Sequence, residues 1–336
     1  MHSFTLIFIG MLALSLVMRF WLAQRQIAHI KAHRASVPEA FVDKINLDDH
    51  QKAADYTVAK TQFGRIPLFY DAGLLLLWTL GGGLEWLDQA TIGLGLSPIM
   101  TGIIVMLSFF LVSSLLELPF SIYSTFVIEE RFGFNRTTVK TFITDMIKGA
   151  ILALALGVPL LWVILWLMEQ SGELWWVYAW LVWTAFSLLI MWIYPTIIAP
   201  IFNKFEPLEE GETLNRIQSL LQRCGFSSNG IFVIDGSKRS SHGNAYFSGF
   251  GRNKRIVFFD TLLKMLDDDQ LEAVLAHELG HFKKKHIIKG ILISIATTFV
   301  ALALLAWLMK NEWFYTALGI STPSTYMALL LFALVL

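Results

Sequence analysis

The stretch DDDQLEAVLAHELGHFKKKHIIKGILISIATTFVALALLAWLMK, residues 267–310, decides how the rest of the chain is read. Its first part predicts a helix: Asp267, Asp268 and Asp269 supply an N-cap and favourable charge at the start, and Leu271, Val274, Leu275 and Phe282 recur at helical spacing. Within that helix stand His277-Glu278-Leu279-Gly280-His281, an HExxH pentapeptide. Positions i and i+4 project from one helix face, so both imidazoles can reach one Zn²⁺ while Glu278 faces the same site. A catalytic zinc needs neutral imidazole ligands and an open position for water, and a glutamate close enough to take that water's proton as it attacks a carbonyl. The pattern is that of a metalloprotease.

The second part, 287–310, is an apolar span, and it is one of several. The chain of 336 residues is 55% hydrophobic and 15% charged, against roughly 25% charged in a typical soluble domain, with a mean hydropathy of +0.59. It reads as a polytopic α-helical membrane protein. Apolar spans run at about 3–22, 67–87, 99–119, 143–168, 175–200 and 287–310, and a seventh begins near 325. The expected organisation is five membrane helices with their loops in 1–201, a polar unit carrying HExxH in 202–286, and helix six with the start of helix seven in 287–336. No basic region precedes the first span and no small-residue cleavage site follows it, so it is expected to be an uncleaved anchor. Net charge is zero and there is no long basic tract, so nothing points to nucleic acid. The single cysteine, Cys224, excludes an intrachain disulfide framework and reads as a small apolar filler.

Loop charge predicts the orientation. Segments 23–66, 120–141 and 202–286 hold 7, 3 and 12 Lys or Arg, whereas 88–98, 169–174 and 311–324 hold none. By the positive-inside rule the N-terminus lies outside and the HExxH helix on the cytoplasmic side. Asp71, Glu85, Glu117, Asp145 and Lys148 fall within or beside apolar spans, where ionisable groups are costly and usually face a bundle interior or a water-filled cavity, or else sit at span ends in the interface.

Segment 202–286 reads as a small α+β unit. A helix is expected over 211–224, closed by Gly225, and strands at Ile231 to Ile234 and Arg255 to Phe259. Residues 240–249, SSHGNAYFSG, form a candidate edge strand just upstream of the metal helix, where an extended peptide could pair; an ordinary hairpin is the plainer alternative.

A catalytic zinc usually takes three protein ligands. The extended motif with a Gly and a third His downstream is absent, since Lys284 and Ile287 occupy those positions. His286, about 140° round a continuous helix from His281, is expected to be a helix-end residue or a support for a ligand. Glu312 follows a span of 24 residues, about 36 Å of helix, and would emerge on the opposite membrane face. The third ligand is therefore expected beyond Leu336. The seventh span also breaks off there after a dozen apolar residues, so the chain is read as C-terminally truncated.

Four motifs in order, IEERFGFNRTT at 128–138, YPTIIAPIFNKFEPLEEG at 194–211, SSHGNAYFSGFG at 240–251 and HELGHFKKKH at 277–286, together resemble the type I CAAX prenyl proteases, integral-membrane zinc endopeptidases. The resemblance runs through nearly the whole chain. It implies a seven-helix bundle enclosing a chamber, with a zinc-protease unit facing the cytoplasm, and removal of the C-terminal tripeptide from an isoprenylated CAAX protein or peptide. Carried over, His277 and His281 are ligands of one Zn²⁺ per chain, Glu278 is the general base, and Asn244, Ala245 and Tyr246 belong to the substrate-binding edge strand. The family's third ligand is a glutamate on a helix after the seventh span.

The implied partners are a peptide or protein substrate and the lipid bilayer, in a bacterial inner membrane or a membrane of the endoplasmic reticulum type. A broader membrane-protein quality-control protease would share every catalytic residue without requiring a prenyl group. A channel or transporter with an incidental or transport metal site is the alternative of another class; transporters place such sites near the bilayer midplane, whereas HExxH precedes its span here.

Overall fold

The structure, a computed structural model, describes residues 2–226, 228–248 and 254–335. Gly249, Phe250 and Gly251, which close one of the sequence motifs, and Leu336 lie outside the described residues. In chain order the helices before the polar unit are α1 (Ser3–His33), α2 (Leu47–Trp78), α3 (Gly83–Ile92), α4 (Pro98–Tyr123), α5 (Val139–Gln170), α6 (Trp175–Ile193) and α7 (Ala199–Phe202). The polar unit contributes β1 (Phe205–Pro207), α8 (Glu212–Arg223), β2 (Ile231–Ile234), β3 (Ala245–Ser248), β4 (Arg255–Phe259), α9 (Asp260–Met265) and α10 (Asp268–Lys283). It is followed by α11 (His286–Leu308), α12 (Glu312–Thr316) and α13 (Thr325–Val335).

Among the described residues five helical segments are long and apolar enough to cross a membrane: Ser3–His33, Pro98–Glu129, Val139–Gln170, Gly172–Phe202 and His286–Leu308. The pair α2 and α3 supplies a sixth if taken as one broken span, and α13 is a shorter apolar helix. Each of the seven apolar stretches in the sequence is thus helical. Two features differ from the sequence reading. The polar segment 23–66 is largely helical, because α1 and α2 continue well past their apolar stretches. The stretch 67–87 is no straight span: the chain bends by 47° at Gly81-Gly82-Gly83. Gly82 takes φ 77°, and a Cβ on Gly81 would lie 2.7 Å from the carbonyl oxygen of Leu77, so the turn needs glycine there. Two segments, Ser124–Glu129 after α4 and Tyr194–Ile198 after α6, are π-helical.

The residues fall into two compact units. One comprises Met1–Gly133, Leu161–Gln170 and Leu304–Leu336. In it Gly102 of α4 admits the ring of Tyr326, whose hydroxyl donates to Asp88 at 2.6 Å; a Cβ at Gly102 would stand 2.6 Å from the Tyr326 side chain. Asp88 is fully buried. Glu85 accepts from the Ser321 amide at 3.0 Å and from the Gln89 side chain at 3.0 Å.

The other unit comprises Phe134–Leu160 and Ser171–Ala303. It holds a four-stranded sheet in the order β1-β2-β4-β3, with β2 and β4 parallel and both outer pairs antiparallel. β3 is therefore an edge strand. Strands β2 and β4 match the expected segments, but β1 escaped the sequence reading: three residues ending in Pro207 carry too little alternation to register. One sheet face packs Ile231, Ile256 and Phe258 against Ile217, Leu220 and Leu221 of α8 and Leu271, Leu275 and Leu279 of α10.

Candidate active site

Helix α10 is fixed at its start, along one face and from one side. Asp267 accepts from the Gln270 amide at 2.9 Å while the Gln270 side chain accepts from the Asp267 amide at 3.2 Å, a reciprocal capping box. Leu271, Leu275 and Leu279, spaced i, i+4 and i+8, are buried in the sheet core, each contributing roughly 1.5–3 kcal/mol. Arg216 of α8 pairs with Asp269 and Glu272, and Arg223 pairs with Glu272. Hydrogen bonds from the two guanidinium groups hold the Glu272 carboxyl below the usual range. Burying the leucine stripe turns the other side of α10 outward, so His277 and His281 are exposed and Glu278 is half-buried.

The imidazoles of His277 and His281 converge, with Nε2 to Nε2 at 3.3 Å. Two nitrogens about 2.05 Å from a tetrahedral zinc are about 3.3 Å apart, so the pair fits two positions of one such metal. Among the described residues no group of three or more His, Cys, Asp and Glu side chains is placed to hold a metal ion.

His286 is not on the same continuous helix, as the sequence reading supposed. Lys285 takes φ 56° and separates α10 from α11, so His286 opens the next helix and folds back until its Nδ1 is 2.9 Å from Nδ1 of His281. The run Lys283-Lys284-Lys285 carries no glycine or proline to announce that break.

β3 lies alongside α10. The Phe259 amide donates to the Asn244 carbonyl at 2.9 Å, which makes Asn244 and Phe259 a hydrogen-bonded pair and, by the antiparallel alternation, Tyr246 and Val257 another. The main-chain groups of Ala245 and Phe247 therefore point to the open edge. The Ala245 amide is satisfied locally, by the Asn244 side-chain oxygen at 2.9 Å. Ala245 and Phe247 turn their side chains to the α10 core, whereas Tyr246, facing Phe259 at 6.4 Å, lies on the opposite face. Burial, and secondarily Tyr194, pushes the Tyr246 hydroxyl up to about 12. Of the three edge-strand candidates, Ala245 turns its main-chain groups to the open edge, Asn244 reaches it only through the side chain that caps the Ala245 amide, and Tyr246 pairs inward with Val257. Phe247 shares the orientation of Ala245, which only the register of the strand distinguishes from that of Tyr246.

A multi-pass membrane protein that sets an HExxH helix beside an open sheet edge has the build of an integral-membrane metallopeptidase. Comparison with known proteins makes this specific. The chain belongs to peptidase family M48: residues 207–336 match the family model for Peptidase family M48, and residues 26–204 match that for the CAAX prenyl protease N-terminal region, five membrane helices. CAAX prenyl protease 1 of Saccharomyces cerevisiae is 47% identical over 210 residues, a match covering 62% of this chain and 46% of that protein. The CAAX prenyl protease 1 homologue of Arabidopsis thaliana is 36% identical across 89% of this chain and 70% of its own length. The crystal structure of S. mikatae Ste24p superposes with a TM-score of 0.90 at 33% identity, covering 99% of this chain and 82% of that one. The chain is thus an integral multi-pass membrane protein and a metalloendopeptidase of the CAAX prenyl protease type, acting on a peptide or protein substrate.

Proposed function

We propose that the protein is a zinc-dependent endopeptidase that removes the C-terminal tripeptide of isoprenylated CAAX-type proteins or peptides. One Zn²⁺ is held by His277 and His281, two of the three protein ligands a catalytic zinc takes, and Glu278 is the general base. The observation that carries this reading is the 3.3 Å approach of the two Nε2 atoms, on a helix whose buried leucine stripe directs both rings outward. Zinc, when bound, supplies a Lewis acid that acidifies water and polarises the scissile carbonyl.

Glu278 takes the proton of the attacking water and passes it to the departing amine. His286, bonded to His281 Nδ1, holds that ring in one orientation. The substrate adds as a strand to β3, its main chain pairing with the Ala245 carbonyl and the Phe247 groups, while the Asn244 side chain swings off the Ala245 amide to release it. Tyr246 anchors the strand from behind through its pairing with Val257. In the membrane this unit faces the cytoplasmic side and the N-terminus the outside, a reading supported by the distribution of loop charge. The test is cleavage of a farnesylated CAAX peptide by the full-length protein, with its unprenylated counterpart as control. Release of the tripeptide from the prenylated peptide, abolished by chelator and restored by zinc, is expected; equal cleavage of both peptides would replace this reading with that of a broad-specificity protease.

A further inference from the structure

The motif at 128–138 and residue Arg239 have no part in the chemistry described above, yet they meet. The backbone from Arg239 to Asn244 is held at every residue. The Arg239 carbonyl accepts from the Arg136 amide and the Thr137 hydroxyl, both at 3.0 Å. Ser240 bridges antiparallel to Asn135, the Ser241 amide donates to the Phe134 carbonyl at 3.0 Å, and the His242 ring stacks on Phe134 at 4.3 Å. The His242 carbonyl accepts from the Thr261 hydroxyl at 2.8 Å. Gly243 passes so near Leu262 that a Cβ there would lie 3.2 Å from its Cα. Asn244 then enters the sheet through Phe259. Segment 134–137 acts as a short brace laid along the approach to β3.

The brace continues directly into α5, and there Asp145 receives Arg239 in a two-pronged pair, Nε to Oδ2 at 2.6 Å and Nη2 to Oδ1 at 2.9 Å. The same guanidinium donates to the side-chain oxygen of Asn203 and, at 2.8 Å, to the Phe202 carbonyl. One planar cation thus ties the approach to β3 to α5 and to the end of α7, at side chains about a quarter exposed. A fork of this kind fixes direction as well as distance, which a lysine cannot do.

We infer that Arg239 is a positioning residue for substrate: through Asp145, Asn203 and Phe202 it sets the place of Asn244 and Ala245, and hence the register in which a peptide adds to the edge strand. It touches no reacting atom. This rests on the proposal that substrate pairs with β3.

The test uses the full-length protein and a farnesylated CAAX peptide, with zinc content and thermal unfolding measured for each variant. Arg239→Ala and Asp145→Ala are each expected to raise KM by about tenfold or more while kcat and zinc content stay near wild type, because a strand displaced by an ångström loses pairing before it loses the metal. The double variant is expected to be no worse than Arg239→Ala alone, since that substitution already removes the contact with Asp145. Added guanidinium ion is expected to restore KM in Arg239→Ala and to leave Asp145→Ala unchanged. Asp145→Asn, which keeps the side chain's volume, answers the question if the alanine variants do not fold, and is expected to raise KM in the same way. Unchanged KM in a folded variant, a fall in kcat alone, or loss of zinc would each overturn the assignment. A depsipeptide substrate lacking the N–H that faces the Ala245 carbonyl separates the two proposals: if wild type binds it as well as the amide, pairing with β3 is wrong whatever Arg239 does.

Discussion

The Nδ1 atom of His286 lies 2.9 Å from Nδ1 of His281, across the left-handed residue that ends one helix and begins the next. With His281 donating, its Nε2 carries the lone pair, which is the tautomer a metal ligand needs. His286→Ala is therefore expected to weaken zinc binding by about 10- to 100-fold without removing a ligand. Competition with a fluorescent chelator measures it; unaltered affinity would show that the contact is incidental.

Glu278→Gln is expected to retain zinc and lose about 10² to 10⁴-fold in turnover, because the side chain moves a proton and holds no metal. His277→Ala and His281→Ala are expected to lower metal content instead. Normal zinc stoichiometry in both histidine variants, measured by atomic emission, would remove them from the ligand set.

Leu275 is about 1% exposed at the centre of the stripe that seats α10. Truncation to alanine is expected to cost about 2–5 kcal/mol in stability. Denaturant unfolding of the purified protein reads this out, and a cost under about 1 kcal/mol would mean that the sheet core does not hold the HExxH helix.

Tyr246 bears on alkaline stability. Burial raises its hydroxyl to about 12 from an ordinary 10.0, so the folded protein keeps it neutral where the unfolded chain would begin to ionise it. Its contribution is thus complete below about pH 10 and is lost as pH rises toward 12. Ultraviolet difference titration against Tyr246→Phe should show one fewer late-titrating phenol in the variant, and a shallower loss of stability above pH 10.

Orientation is testable with single cysteines once the exposed Cys224 has been replaced by serine. Ile92→Cys is expected to react with an impermeant thiol reagent from outside the cell, and Glu210→Cys only after the membrane is opened. The reverse pattern would invert the topology.

Much of this architecture is legible in the chain. Apolar length identifies the membrane helices because a bilayer imposes about 20 residues per crossing on any helix. The same 3.6-residue period that buries Leu271, Leu275 and Leu279 turns His277 and His281 outward together, so fold and metal pair follow from one pattern. What depends on contacts between distant residues is not legible in this way. The short strand β1, the break at Lys285 that brings His286 back to His281, and the register that separates Ala245 and Phe247 from Tyr246 are decided by tertiary packing. Arg239 shows the reason: its partners Asp145, Phe202 and Asn203 lie 94, 37 and 36 residues away, and no local periodicity encodes a contact at that separation.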